Sequence, residues 1–378
     1  MDKEYIKIVS TIHTGYNTYN GLLNEYDYTF FVLSTILFRK LGCVKLVDSE
    51  HLFYSSKIKN KDAISFFIDE YEKMIYYLDM VDDVIDEPGV PLYDVTELTA
   101  YILKLDQKLF DNYYVQMVEE CLSIYFSKHH LTIQDSLQPQ ELNQLINYFL
   151  PEDKNISVYN PFAGMCSLGM NLSDDTNYLA EEINFDVAKL AELRFLISEK
   201  KNFEIKNTDS IKSLNEPFNN KYDFIVSTPP FGLKGKDALE RVVMESNEYK
   251  IGLNSFIIDA SLSKLKENGK IVFTISESVL YSSTKESKEF RRNLVLNSQI
   301  ETLIKLPNRL FKSTGISSYI IVLSNDKKKN TSIRMIDASE MVLDVKSKQN
   351  ILDLEKIFDT LNDSYVNDYC VFVNIEEI

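Results

Sequence analysis

The chain has 378 residues, with 41 Lys+Arg against 57 Asp+Glu and a formal charge of −16. At about 100–200 residues per domain, that length predicts two or three domains, and 44% apolar content excludes a disordered chain. So acidic a chain does not grip nucleic acid over its whole surface; such contact needs a local basic patch or a basic partner.

The first third reads as helical. Phe30, Leu33, Leu37 and Leu41 recur at helical spacing, with Gly42 as a stop signal. Similar periodicity runs over 64–79 and 96–125, and Pro88-Gly89-Val90-Pro91 reads as a loop between them. We therefore expect a helical N-terminal domain over 1–128. Past His129-His130 the pattern changes, and short apolar runs alternate with helical stretches. Strands are expected at 157–159, 178–180, 203–206, 224–226, 271–275, 301–305 and 319–323, with helices such as 186–199 and 255–266 between them. This alternation predicts an α/β domain over 129–345, a doubly wound and mostly parallel sheet, followed by a C-terminal extension over 346–378.

Other residue types narrow the classes. No apolar run approaches the ~20 residues of a membrane span, and Met1-Asp2-Lys3-Glu4 does not read as a secretory signal. Cys43, Cys121, Cys166 and Cys370 lie far apart, which argues against a zinc ribbon or disulfide scaffold and for a reducing, cytoplasmic setting. Only four histidines occur, so no metal site is expected.

Ligands of such sheets bind beyond the carboxyl ends of the strands, so the residues after each strand matter most. Asn160-Pro161-Phe162-Ala163-Gly164 is a small-residue turn that lets a ligand approach the backbone, or else a tight turn with an Asn cap. Glu181-Glu182 after the second strand could accept both hydroxyls of a ribose, or be a solvated acidic turn. Asp209 after the third could accept from an adenine amine or cap a helix. Thr228-Pro229-Pro230-Phe231-Gly232 after the fourth suits a flat base, with carbonyls accepting from an exocyclic amine and an aromatic ring on the base face. Alone it could be a proline-rich turn; four such sites in order are hard to explain by coincidence.

These segments resemble the modification subunit of type I restriction–modification systems, an adenine-specific DNA methyltransferase family that uses S-adenosylmethionine. The family turn Asp-Pro-x-x-Gly-x-Gly corresponds to 160–166, its Gly-x-Glu-x-Asn segment to 180–184, its Gly-Asp-Ser/Thr to 208–210, and its Asn-Pro-Pro-Phe-Gly to 228–232. Leu265 to Lys270, Leu306-Pro307-Asn308-Arg309-Leu310-Phe311, Thr314-Gly315-Ile316, Ile336-Asp337-Ala338-Ser339 and Gln138-Pro139 are similar to further family stretches. The resemblance implies the methyltransferase fold, with Asn160, Pro161, Phe162, Gly164, Glu182 and Asp209 binding cofactor. It places Thr228, Pro229, Pro230 and Phe231 at the target adenine. It also implies a separate specificity subunit, a restriction subunit, and contact with DNA through that complex. The resemblance implies that family members continue past the stretch similar to Val371-Phe372-Val373-Asn374 into a helical region that docks the specificity subunit.

Three departures touch the chemistry: Asn160 stands for Asp, Cys166 for Gly, and Thr228 for the usual Asn. They keep open a rival reading, a methyltransferase-fold scaffold subunit of a defence complex that transfers little or no methyl. A methyltransferase of RNA or protein is a third reading.

Overall fold

The computed structural model describes residues 3–19, 24–40, 101–102, 105–128, 137–151, 155–216, 221–231, 253–311, 315–326, 331–343, 349–363 and 366–378. The helix expected over 64–79, the loop at 88–91, Leu41, Gly42, Cys43, Gly232 and Thr314 lie outside the described residues. The chain divides into two compact units, one of residues 1–130 and 189–200, the other of 131–188 and 201–378.

In the first unit, α1 (Lys3–Tyr19), α2 (Glu25–Lys40) and α3 (Gln107–Lys128) are helical. Asn24 accepts the Asp27 N–H at 2.8 Å, and α2 carries Glu25 and Asp27 in its first turn and Arg39 and Lys40 in its last, charges that suit the helix dipole. Phe30, Leu33, Ile36 and Leu37 are buried, and the buried Tyr28 hydroxyl donates to the Ile12 carbonyl of α1 at 2.6 Å. The helix expected over 96–125 is interrupted. Asp106 accepts from the Lys108 and Leu109 N–H groups at 3.0 and 3.3 Å, capping α3 afresh at Gln107. Arg194 joins this unit by donating to Glu119 Oε1 from Nε at 3.0 Å and Nη2 at 2.6 Å.

In the second unit, α4 (Gln140–Asn147) leads to a nine-stranded sheet. Its strands are β1 (Ser157–Asn160), β2 (Asn177–Glu182), β3 (Phe203–Asn207), β4 (Tyr222–Ser227), β5 (Leu265–Ser276), β6 (Ile300–Lys305), β7 (Ser318–Ser324), β8 (Ser332–Asp337) and β9 (Cys370–Asn374). The order is β3-β2-β1-β4-β5-β7-β6-β8-β9. Five pairings are parallel; β5–β7, β6–β7 and β8–β9 are antiparallel. This is the mostly parallel α/β sheet expected. The strand order reverses between β1 and β4, which makes their carboxyl ends the switch point.

The connecting helices are α5 (Phe185–Ile197), whose residues from 189 on belong to the first unit, α6 (Ser210–Asn215), α7 (Leu253–Ser263), α8 (Glu277–Tyr281), α9 (Lys285–Leu296) and α10 (Leu354–Asn362). Tyr159, Ile225, Phe256, Ile271, Phe273 and Ile321 join one apolar core between sheet and helices. The helix expected to reach Lys266 ends at Ser263, because Leu265 already pairs with Tyr222 as the start of β5. α5 ends at a left-handed Glu199 (φ 53°), where Lys200 N–H bonds the Phe195 carbonyl at 3.1 Å.

Residues from 349 onward, taken from sequence as an extension, supply α10 and the edge strand β9 of this sheet. The Tyr148 ring stacks on Phe358 of α10 at 5.1 Å, and its hydroxyl donates to Asn362 at 2.7 Å. Among the described residues, no helix is long and apolar enough to cross a membrane.

Candidate functional site

The carboxyl ends of β1 to β4 are stitched together by hydrogen bonds that run from one expected segment to the next. The turn after β1 needs an unusual backbone: Phe162, Gly164 and Cys166 have φ of 60°, 54° and 53°. Glycine takes this conformation freely, whereas a side chain there costs about 1–2 kcal/mol, so Cys166 carries strain that a glycine would not. The Ala163 N–H donates to the Glu181 carbonyl at 2.8 Å, laying the turn against β2.

Asn160 is buried and turned into the sheet. Its amide oxygen accepts from the Tyr178 hydroxyl at 2.8 Å and its nitrogen donates to the Val226 carbonyl at 2.8 Å. It ties β1 to β2 and β4, where the sequence pointed to a ligand-facing amide.

Glu182 ends β2 and is 9% exposed. Oε2 accepts the Gly164 N–H at 3.0 Å and Oε1 accepts the Asn184 N–H at 2.7 Å. Burial pushes its carboxyl above the usual range, opposed in part by the N–H groups of Asn184, Gly164 and Ile183. A carboxylate offers about four acceptor positions, so these donors leave capacity for a ligand hydroxyl. Its neighbour Glu181 points to the opposite face, as alternate strand residues must, and accepts the buried Tyr159 hydroxyl at 2.7 Å. Of the two adjacent acids, Glu182, which the resemblance singles out, is thus the one beside the turn after β1.

After β3, Asp209 caps α6, accepting the Ile211 N–H at 3.1 Å. Ser210 accepts the Phe162 N–H at 3.2 Å, and the Thr208 N–H donates to the Glu182 carbonyl at 3.1 Å. After β4, the Ser227 hydroxyl donates to the Pro161 carbonyl. The Thr228 hydroxyl is shut off from solvent with no hydrogen-bond partner among the described residues. Leaving such a group unpaired costs about 1–3 kcal/mol. Pro229 is buried, Pro230 exposed, and the Phe231 ring meets Phe311 edge-on, with centroids 5.0 Å apart and planes at 71°.

Asn160, Pro161, Phe162, Gly164, Glu182, Asp209 and Thr228 are thus brought together, while Phe231 reaches toward the 306–311 loop. Sequence reasoning missed Tyr178, Ser210 and Ser227, which hold the segments in register. It also missed Ile183 and Phe185, apolar yet 58% and 51% exposed beside Glu182. Their signal is an apolar pair flanking Asn184 where a polar turn is expected.

The sequence profile of the N-6 DNA Methylase family matches residues 116–378. The type I restriction enzyme MpnII methylase subunit of Mycoplasma pneumoniae is 24% identical over 274 residues, 65% of this chain and 50% of that protein. The type I restriction enzyme HindI methylase subunit of Haemophilus influenzae is 25% identical over 225 residues, 54% of this chain and 49% of that protein. The chain spans about half the length of the curated relatives it matches. A crystal structure of the methyltransferase subunit of a type I restriction-modification system from Streptococcus thermophilus superimposes with a TM-score of 0.65 at 16% identity, covering 99% of this chain and 96% of that one. At that identity the likeness establishes the fold.

Proposed function

The chain belongs to the N-6 DNA Methylase family, and from that premise we propose that it transfers a methyl group from S-adenosylmethionine to the exocyclic amine of adenine in DNA. In this reading it is the modification subunit of a cytoplasmic type I restriction–modification system. Glu182 carries the reading: a buried carboxylate beside the switch point, holding the Gly164 and Asn184 N–H groups with acceptor capacity left over.

The residues present fit S-adenosylmethionine. Glu182 would take the ribose hydroxyls, the backbone of Pro161, Phe162 and Gly164 would line the approach, and Asp209 would face the base. Asn160 contributes by holding the turn in shape through Tyr178 and Val226. When bound, the cofactor supplies an already activated methyl group, so the chain's own task is positioning.

At the target, the Thr228 hydroxyl and the Pro229 carbonyl would accept the hydrogens of the adenine amine, drawing its lone pair toward the methyl. Pro230 fixes the backbone, and Phe231 stacks on a base flipped out of the duplex, which the amine's chemistry requires. A chain of charge −16 reaches DNA through a complex, with a specificity subunit choosing the sequence and a restriction subunit as further partner.

The scaffold reading has its own observations. The Asn160 amide is committed to protein groups, and Thr228 offers one short acceptor where the family places an amide. Calorimetry with S-adenosylmethionine, followed by methyl transfer to duplex DNA with a specificity subunit supplied, separates the two. The enzyme reading expects both binding and transfer; the scaffold reading expects no transfer.

A further inference from the structure

Beyond β6 the chain makes a tight loop, Leu306-Pro307-Asn308-Arg309-Leu310-Phe311, with Arg309 in the left-handed region at φ 57°. Loop carbonyls usually turn to water. Here three in succession are taken by two adjacent residues from about 40 positions downstream. The Asn308 carbonyl accepts from Asn350 Nδ2 at 2.7 Å, the Arg309 carbonyl from the Asn350 N–H at 3.0 Å, and the Leu310 carbonyl from Gln349 Nε2 at 2.6 Å. Ser317 adds a fourth tie, donating to Asn308 Oδ1 at 3.0 Å. The next residue is Phe311, buried, with its ring against Phe231.

We propose that Gln349 and Asn350 are positioning residues: they brace the 308–310 loop and, through Phe311, set the angle of the Phe231 ring. The proposal rests on the reading of Phe231 as the ring that stacks on the target base. Neither Gln349 nor Asn350 touches that base. Their effect passes through one backbone loop and one edge-to-face ring contact. The brace comes from the segment between β8 and α10, so the last part of the chain serves the site as well as completing the sheet.

The chain contains no tryptophan, so Phe231→Trp in the full chain creates a single fluorescent reporter at the ring itself. Gln349→Glu and Asn350→Asp are isosteric and each removes one N–H donor to the loop while keeping the backbone bond of residue 350. In the reporter background, each should shift the emission to the red and raise acrylamide quenching, with thermal unfolding and S-adenosylmethionine affinity serving as controls for fold and cofactor site. With Phe231 restored and a specificity subunit supplied, each should lower kcat on the order of 10–100-fold, the scale of loss when a reacting group is misplaced by about 1 Å, and leave the KM for cofactor unchanged. Folded variants whose emission and quenching match the parent overturn the proposal, whatever their activity. A reporter that responds in a chain that transfers no methyl supports the brace and counts against the methyltransferase reading.

Discussion

Glu182 Oε2 accepts the Gly164 N–H at 3.0 Å, fastening the end of β2 to the turn after β1 across 18 residues of sequence. One carboxylate therefore does two things. It holds the left-handed turn at Gly164 in place, and it presents a buried acceptor one strand away from the point where the strand order reverses.

Replacing Glu182 with Ala removes that acceptor, and S-adenosylmethionine binding should weaken by about 1.5–3 kcal/mol, the worth of a hydrogen bond to a charged group. Glu182→Gln keeps the shape and should fall between wild type and Ala. Isothermal calorimetry measures both. An unchanged affinity in the Ala variant would remove Glu182 from the cofactor site.

Burial raises the Glu182 carboxyl above its unfolded value. Between those two values the folded chain binds more protons than the unfolded one, so this group's contribution to stability falls as pH rises through that window. Ribose hydroxyls donate to the ionised form. Cofactor affinity should therefore climb as pH rises through the raised value, with a proton released on binding at the acid end. Calorimetry in two buffers of different ionisation heat reads that proton. The Glu182→Gln variant should lose the dependence.

The Thr228 hydroxyl is unpaired and shielded, so stability and activity should move in opposite directions there. Thr228→Val deletes a group whose burial costs about 1–3 kcal/mol and should raise the unfolding temperature, while methyl transfer falls. Thr228→Asn supplies a longer acceptor and should raise the rate; one well-placed acceptor is worth about 2.7–4 kcal/mol in a transition state. Thermal unfolding and initial rates on the same preparations check the pair. Phe231→Ala should abolish transfer, because the base then has no ring to stack on.

Away from the site, a Cβ at Gly269 would lie 3.0 Å from the Asp223 and Lys266 carbonyl oxygens and 3.1 Å from that of Tyr222. These are backbone atoms that cannot swing aside. Gly269→Ala should destabilise the fold by about 1–3 kcal/mol, read as a shift in the denaturant midpoint, without altering cofactor contacts.

The first seven strands were legible because each is a short apolar run between polar turns, and the four strand-end segments followed once those runs were placed. β9 and α10 were legible too in principle. Leu354, Ile357, Phe358 and Leu361 keep helical spacing behind the Asp353 cap, and Val371-Phe372-Val373 is a strand-like run. Reading residues 346–378 as an extension misses them, because the strands and helices of the expected sheet end before 345. Other features could not be read from the order of residues. Nothing local distinguishes an Asn160 amide turned into the sheet from one facing a ligand, since its partners Tyr178 and Val226 come from other strands. The Phe231–Phe311 contact likewise joins rings that only the folded sheet brings together. The resemblance singles out Glu182, but that Glu181 is tied to Tyr159 on the other face of β2 is seen only in the folded sheet.

The central claim is methyl transfer to the adenine amine, and nucleoside analysis by mass spectrometry tests it most directly. Duplex DNA is incubated with the full chain, a specificity subunit and methyl-labelled S-adenosylmethionine, then digested to nucleosides. The account predicts label in N6-methyladenine, increased by Thr228→Asn and absent with Phe231→Ala. Unlabelled adenine from both wild type and Thr228→Asn, under conditions where calorimetry shows the cofactor bound, would contradict it and leave a cofactor-binding scaffold.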